Sequence, residues 1–90
     1  MKIDVYDTYA TSKNGNIMHF DVFIPNGENG DKAFQYAKIW LSDIGQNADD
    51  LDQARCRFCH SEMANPEIER EIKAQGYYIL QMEGCPNAIR

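Results

Sequence analysis

The run Cys56-Arg57-Phe58-Cys59-His60, with Cys85 near the end of the chain, gathers residue types that hold metals or react as thiols. Two thiolates two residues apart can bite one ion from a tight turn, and an imidazole is a natural third or fourth ligand. Cys56, Cys59, His60 and Cys85 are therefore candidate ligands for zinc, with His19 as a remote alternative. If residues 54–60 form a true strand, however, Cys56 and Cys59 face opposite ways and cannot chelate together. Thiol redox chemistry is a second reading. It needs a thiolate stabilised by positive charge or a helix N-terminus; Arg55 and Arg57 supply charge, but the nearest helix start falls too late for Cys56. In a third reading the cysteines only pack, since free cysteine behaves as a small, often buried hydrophobe.

Cys-x-x-Cys-His is also a haem-attachment spacing. That use requires export, and Met1-Lys2-Ile3-Asp4-Val5 enters a strand-like pattern containing acids rather than a signal peptide. Neither haem nor a nucleotide is expected. With three cysteines, an odd number, a disulfide framework is not expected either, and a cytoplasmic setting fits.

Other titratable groups stand near this run or ahead of it. His19 and Asp21 are two residues apart in a strand, so they share a face, and a carboxylate beside an imidazole can raise its basicity as in a general base. The plainer alternative is a solvated sheet face whose charges resist edge pairing. Glu62 follows the cysteine run and could serve as acid, base or ligand, or simply be a loop acid. Asp7 falls on a face that otherwise reads as apolar. There a carboxylate needs hydrogen-bond partners, or its pKa rises.

The elements that must position these groups begin with a hairpin. Asn14-Gly15 suits a two-residue type I′ turn, which sets Tyr9 opposite Phe20, Asp7 opposite Val22 and Val5 opposite Ile24. One face then carries Ile3, Val5 and Tyr9 with Met18, Phe20, Val22 and Ile24. The other is mixed, carrying Asp4, Tyr6, Thr8 and Ala10 with Ile17, His19, Asp21 and Phe23. Pro25 ends the second strand. Asp31 is the expected cap of a helix with apolar residues at Ala33, Phe34, Ala37, Trp40, Leu41 and Ile44, closed by Gly45. Residues 46–53 read as loop, and 54–60 as a strand or extended stretch. Asn65-Pro66-Glu67 starts a second helix with Ile68 and Ile72 on its apolar stripe, Gly76 ends it, and residues 77–83 read as a last strand. The order β-β-α-β-α-β predicts an α+β two-layer sandwich, a four-stranded mixed sheet with both helices on one face.

Ninety residues make one domain, 1–90, and 43% apolar content is ordinary for a globular chain. Nine basic against fourteen acidic residues leave a net charge of −5 with no basic patch, which excludes a nucleic-acid partner. No apolar run approaches the ~20 residues that span a bilayer, so no membrane partner is expected. If both helices cover one side, Tyr6, Ile17 and Phe23 form an exposed apolar patch suited to a homodimer or a protein partner.

Taken together, Val5-Tyr6-Asp7-Thr8-Tyr9, Met18-His19-Phe20-Asp21-Val22, Cys56-Arg57-Phe58-Cys59-His60-Ser61-Glu62 and Gly76-Tyr77-Tyr78 with Met82-Glu83-Gly84-Cys85 resemble a small bacterial family described only as a domain of unknown function, number two thousand and twenty-four. The resemblance runs across nearly the whole chain, and Cys-x-Phe-Cys-His-Ser-Glu is its most specific piece. It implies a single α+β domain in a bacterial cytoplasm and brings no activity, ligand or catalytic residue. From the residues themselves, a small metal-binding domain leads, with a non-catalytic interaction module as the alternative and a thiol-redox protein third.

Overall fold

A computed structural model describes residues 1–85 of the chain. Strands β1 (Lys2–Thr11) and β2 (Ile17–Pro25) are rich in β-branched and aromatic residues and form the central hairpin. Helix α1 (Gly30–Asp43) is capped by Asn29, whose side chain accepts the Asp31 N–H at 2.9 Å. Asp31, the expected cap, instead sits in the first turn, where its charge suits the positive end of the dipole. The polar segment that follows holds two short 3₁₀ turns, Ala48–Asp50 and Gln53–Arg55. Strand β3 (Cys56–Met63) precedes helix α2 (Pro66–Gln75), whose Asn65 cap accepts the Ile68 N–H at 2.9 Å. Gly76, at φ 97°, closes α2 in the left-handed conformation that favours glycine, and β4 (Tyr78–Gln81) follows.

The α+β class, the four strands and the β-β-α-β-α-β order are those expected. The sheet order is β3-β1-β2-β4, and every neighbouring pair is antiparallel rather than mixed. The two strands joined through α1, β2 and β3, do run the same way, but β1 lies between them, so no parallel pair forms.

The hairpin register differs from the expected one by a single residue. Tyr9 lies opposite His19, Asp7 opposite Asp21 and Val5 opposite Phe23. The cause is the turn. The Ser12 N–H donates to Asn16 O at 2.7 Å and the Gly15 N–H to Ser12 O at 3.0 Å, so the loop holds three residues and only Gly15 need be left-handed, at φ 90°. A slip of one residue exchanges the partners of every side chain across the hairpin.

With this register, Ala10, Met18, Phe20, Val22 and Ile24 share a face with Tyr6 and Thr8, and Ala33, Ala37 and Leu41 of α1 pack on it. The opposite face presents Ile3, Val5 and Phe23, and Ile72 of α2 packs there with Ile68 beside it. The two helices thus cover opposite faces, not one. Helix α2 is short and covers only one end of its face. The other end, carrying Asp7, Tyr9, His19 and Asp21, lies beyond the α2 cluster. Among the described residues, no helix is long and apolar enough to cross a membrane.

Candidate functional site

The uncovered end of the α2 face brings three sequence candidates together. Asp7 and Asp21 are direct cross-strand partners, and His19 is diagonal to Asp7 and two residues from Asp21 on the same face. One ligand atom from each of Asp7, His19 and Asp21 lies within 4.8 Å of the others. Among the described residues, no other group of three or more histidine, cysteine or acidic side chains meets so closely. His19 Nε2 is hydrogen-bonded to Asp7 Oδ1. Tyr9 stacks on the His19 ring, with centroids 4.3 Å apart and planes 7° from parallel, which fixes the imidazole plane. The main chain of His19 is pinned as well: its N–H donates to Glu83 O at 2.8 Å and its carbonyl accepts from the Met82 N–H at 2.9 Å.

Asp21 is the most buried member of the cluster. It is 8% exposed, and its Oδ1 is buried without a hydrogen-bond partner. Burial, together with the Asp7 carboxyl opposite, pushes its pKa up to about 6, against the opposing pull of His19 and His60. Asp7 is therefore not an acid isolated among apolar side chains, as the two-residue turn implied. It faces a second carboxylate and an imidazole.

The four residues expected to hold zinc are not gathered. Cys56 pairs with Thr8 and shares its α1 face, accepting the Thr8 hydroxyl at 3.5 Å, and burial pushes its thiol pKa up. His60 pairs with Val5 and shares the opposite face. Between them, β3 takes two steps, Phe58 to His60, while β1 takes one, Tyr6 to Val5, so Cys59 is the extra residue of a β-bulge. Cys85 is across the sheet, its Sγ donating to His19 O at 3.3 Å, and burial pushes this thiol up as well. With β1 between β3 and β2, about 10 Å separates the two cysteine-bearing sides. The bulge leaves Cys59 beside His60, while Cys56 lies beneath the Thr8 hydroxyl, so the Cys-x-x-Cys pair is divided. Glu62 is paired with His60, the Nε2–Oε1 distance being 2.6 Å.

The expected exposed patch also dissolves. Phe23 is 3% exposed in the α2 cluster, and Tyr6 packs against the α1 core, its hydroxyl 3.0 Å from where a Cβ on Gly30 would stand. Ile17 alone of the three is exposed.

One structural carboxylate escaped notice in the sequence. Asp4 is 7% exposed, and it accepts Ser61 Oγ and Asn26 Nδ2 at 2.7 Å each and the Gly27 N–H at 3.0 Å. The Ser61 hydroxyl above all holds its carboxyl below the usual range. Its signal was its place one residue inside the sheet, facing the Asn26-Gly27 turn.

The comparisons agree with this architecture. No curated protein matches the chain. The solution structure of protein NE1680 from Nitrosomonas europaea, a structural-genomics target, is 49% identical. The match covers 94% of this chain and 99% of that one with a TM-score of 0.83. The family model described as domain of unknown function DUF2024 matches residues 1–82, and the chain belongs to that family.

Proposed function

We propose that this is a small divalent-cation-binding domain whose protein ligands are Asp7, His19 and Asp21. The observation that carries this reading is the buried, unpartnered Oδ1 of Asp21, within a cluster that already holds a second carboxylate and an imidazole. A buried carboxylate oxygen without a donor is costly, and a cation satisfies it directly. Two carboxylates and one imidazole are a mixed oxygen–nitrogen donor set, suited to zinc or manganese rather than to thiolate-seeking ions. Three protein ligands leave coordination positions for water, the pattern of sites that polarise a bound molecule rather than only staple a fold.

The residues around the cluster favour this use. Tyr9 holds the imidazole ring from one side, and the β4 side of the sheet holds its backbone. A preset ring orientation lowers the ordering cost of ligation. Manganese is the direct probe. Paramagnetic broadening of the amide signals of Asp7, His19 and Asp21, absent from the His19→Ala variant, is the expected result. Broadening centred on the acidic 3₁₀ turn at Asp49 and Asp50 instead would locate only loose surface binding.

A further inference from the structure

We propose that Cys59 is a reactive thiol with His60 as its base and Glu62 as the positioning residue, and that hydroperoxides oxidise it to the sulfenic acid. The inference is independent of the cation site, which uses none of these three residues.

Three side chains on β3 line up in order. Cys59 Sγ is 3.3 Å from His60 Nδ1, and His60 Nε2 is 2.6 Å from Glu62 Oε1. Thiol, imidazole and carboxylate in that sequence form the nucleophile–base–orienter arrangement. The carboxylate selects the tautomer. Because Glu62 accepts the Nε2–H, the free lone pair of His60 is on Nδ1, the nitrogen that faces the sulfur. A neighbouring carboxylate also steadies the imidazolium that forms when the thiol proton is taken.

The backbone explains why adjacent residues can make this contact. In a regular strand, residues 59 and 60 would project to opposite faces. The bulge at Cys59 breaks that alternation and leaves it without a ladder partner on β1, which lets its side chain meet that of its neighbour. Cys59 is also exposed, whereas Cys56 and Cys85 are half-buried, Cys56 beneath the Thr8 hydroxyl and Cys85 against the His19 carbonyl. Among the three thiols, Cys59 alone combines access with a base.

The site is an open strand surface on an edge of the sheet, so it suits a small reagent rather than a large acyl group. In the step proposed, His60 Nδ1 takes the thiol proton and the sulfur attacks the outer oxygen of the hydroperoxide. The O–O bond breaks, and the departing alkoxide or hydroxide takes the proton from His60 as alcohol or water. Sulfur gives up two electrons to become Cys–SOH, the peroxide is reduced by the same two, and the imidazole ends neutral.

The test is a per-cysteine rate measurement on the whole protein by mass spectrometry. Alkylation by iodoacetamide and dimedone trapping after hydrogen peroxide are followed in the folded chain and in urea. Exposure alone cannot make a folded thiol react faster than the same thiol in the unfolded chain, whereas a fixed base can. The expected result is that folded Cys59 outpaces unfolded Cys59 by about tenfold, and that His60→Asn removes the advantage. Glu62→Gln, which keeps the side-chain shape, removes part of it. Circular dichroism checks that both variants fold, and either variant suffices alone. A folded rate for Cys59 at or below the unfolded rate would overturn the proposal, and so would a fast rate indifferent to both substitutions.

Discussion

Asp7 and Asp21 lie directly opposite one another across the central hairpin, two carboxylates on one face of a sheet with an imidazole diagonal to them. Like charges in that position are unfavourable. Arg57 lies opposite Asp7 on the other side of β1, and the pair is relieved further when one carboxyl keeps its proton or when a cation sits among them. Each of these last two states has a measurable consequence.

The first is a pH dependence. Asp21 titrates near 6 in the folded chain and near the ordinary ~3.9 once unfolded. Between these values the native state binds the extra proton, so stability falls as pH rises through that window. Asp21→Asn should flatten this slope and stabilise the cation-free protein near pH 7 by about 1 kcal/mol. Thermal midpoints near pH 4 and near pH 7 check it, and an Asp21→Asn variant less stable than the parent near pH 7 would refute it.

Asp4 predicts the opposite sign. Its carboxyl is held below the usual range by Ser61, Gly27 and Asn26, so its contribution is present above ~3.9 and lost as pH falls through its folded value. Asp4→Ala leaves three donors from the β2–α1 turn and β3 without their acceptor and should cost about 2 kcal/mol. Urea unfolding near pH 7 reads this directly, and a cost within error of zero would contradict it.

The hairpin loop carries the register on which the cluster depends. Gly15, at φ 90°, should cost about 1 kcal/mol when changed to alanine, although nothing lies within 4 Å of the added Cβ, because the cost is conformational. Deleting Lys13 would leave Asn14-Gly15 as a two-residue loop between the same Ser12 and Asn16 pair, so Asp7 should stay opposite Asp21. Urea unfolding of Gly15→Ala near pH 7 reads the cost of the turn, and a value within error of zero would contradict it.

Much of this fold was legible in the chain. The helix ends were marked by Asn65-Pro66, Gly45 and Gly76, and the strands by their β-branched and aromatic runs. The hairpin register was not legible, for a physical reason. Both faces of this sheet are covered in part by a helix, so Tyr6, Ala10 and Val22 on one face and Val5 and Phe23 on the other are all apolar. Alternation then cannot distinguish two registers one residue apart, and Asn-Gly fits either loop length. The candidate site depended on that residue. Asp7, His19 and Asp21 were each visible as chemistry-bearing side chains, but the expected pairing placed Asp7 opposite Val22 and away from the other two. The cysteine run misled in the other direction. Its spacing suits a chelating turn, and the segment is a bulged strand that divides it.

The central claim is that the cation ligands are Asp7, His19 and Asp21. Calorimetric titration of zinc into the purified chain near pH 7 tests it most directly, run beside Asp21→Asn and a variant with Cys56, Cys59 and Cys85 all changed to serine. One equivalent bound by the parent and by the serine variant, with binding lost in Asp21→Asn, is the predicted result. Binding that survives Asp21→Asn and disappears with the cysteines, or no binding by the parent, would contradict it.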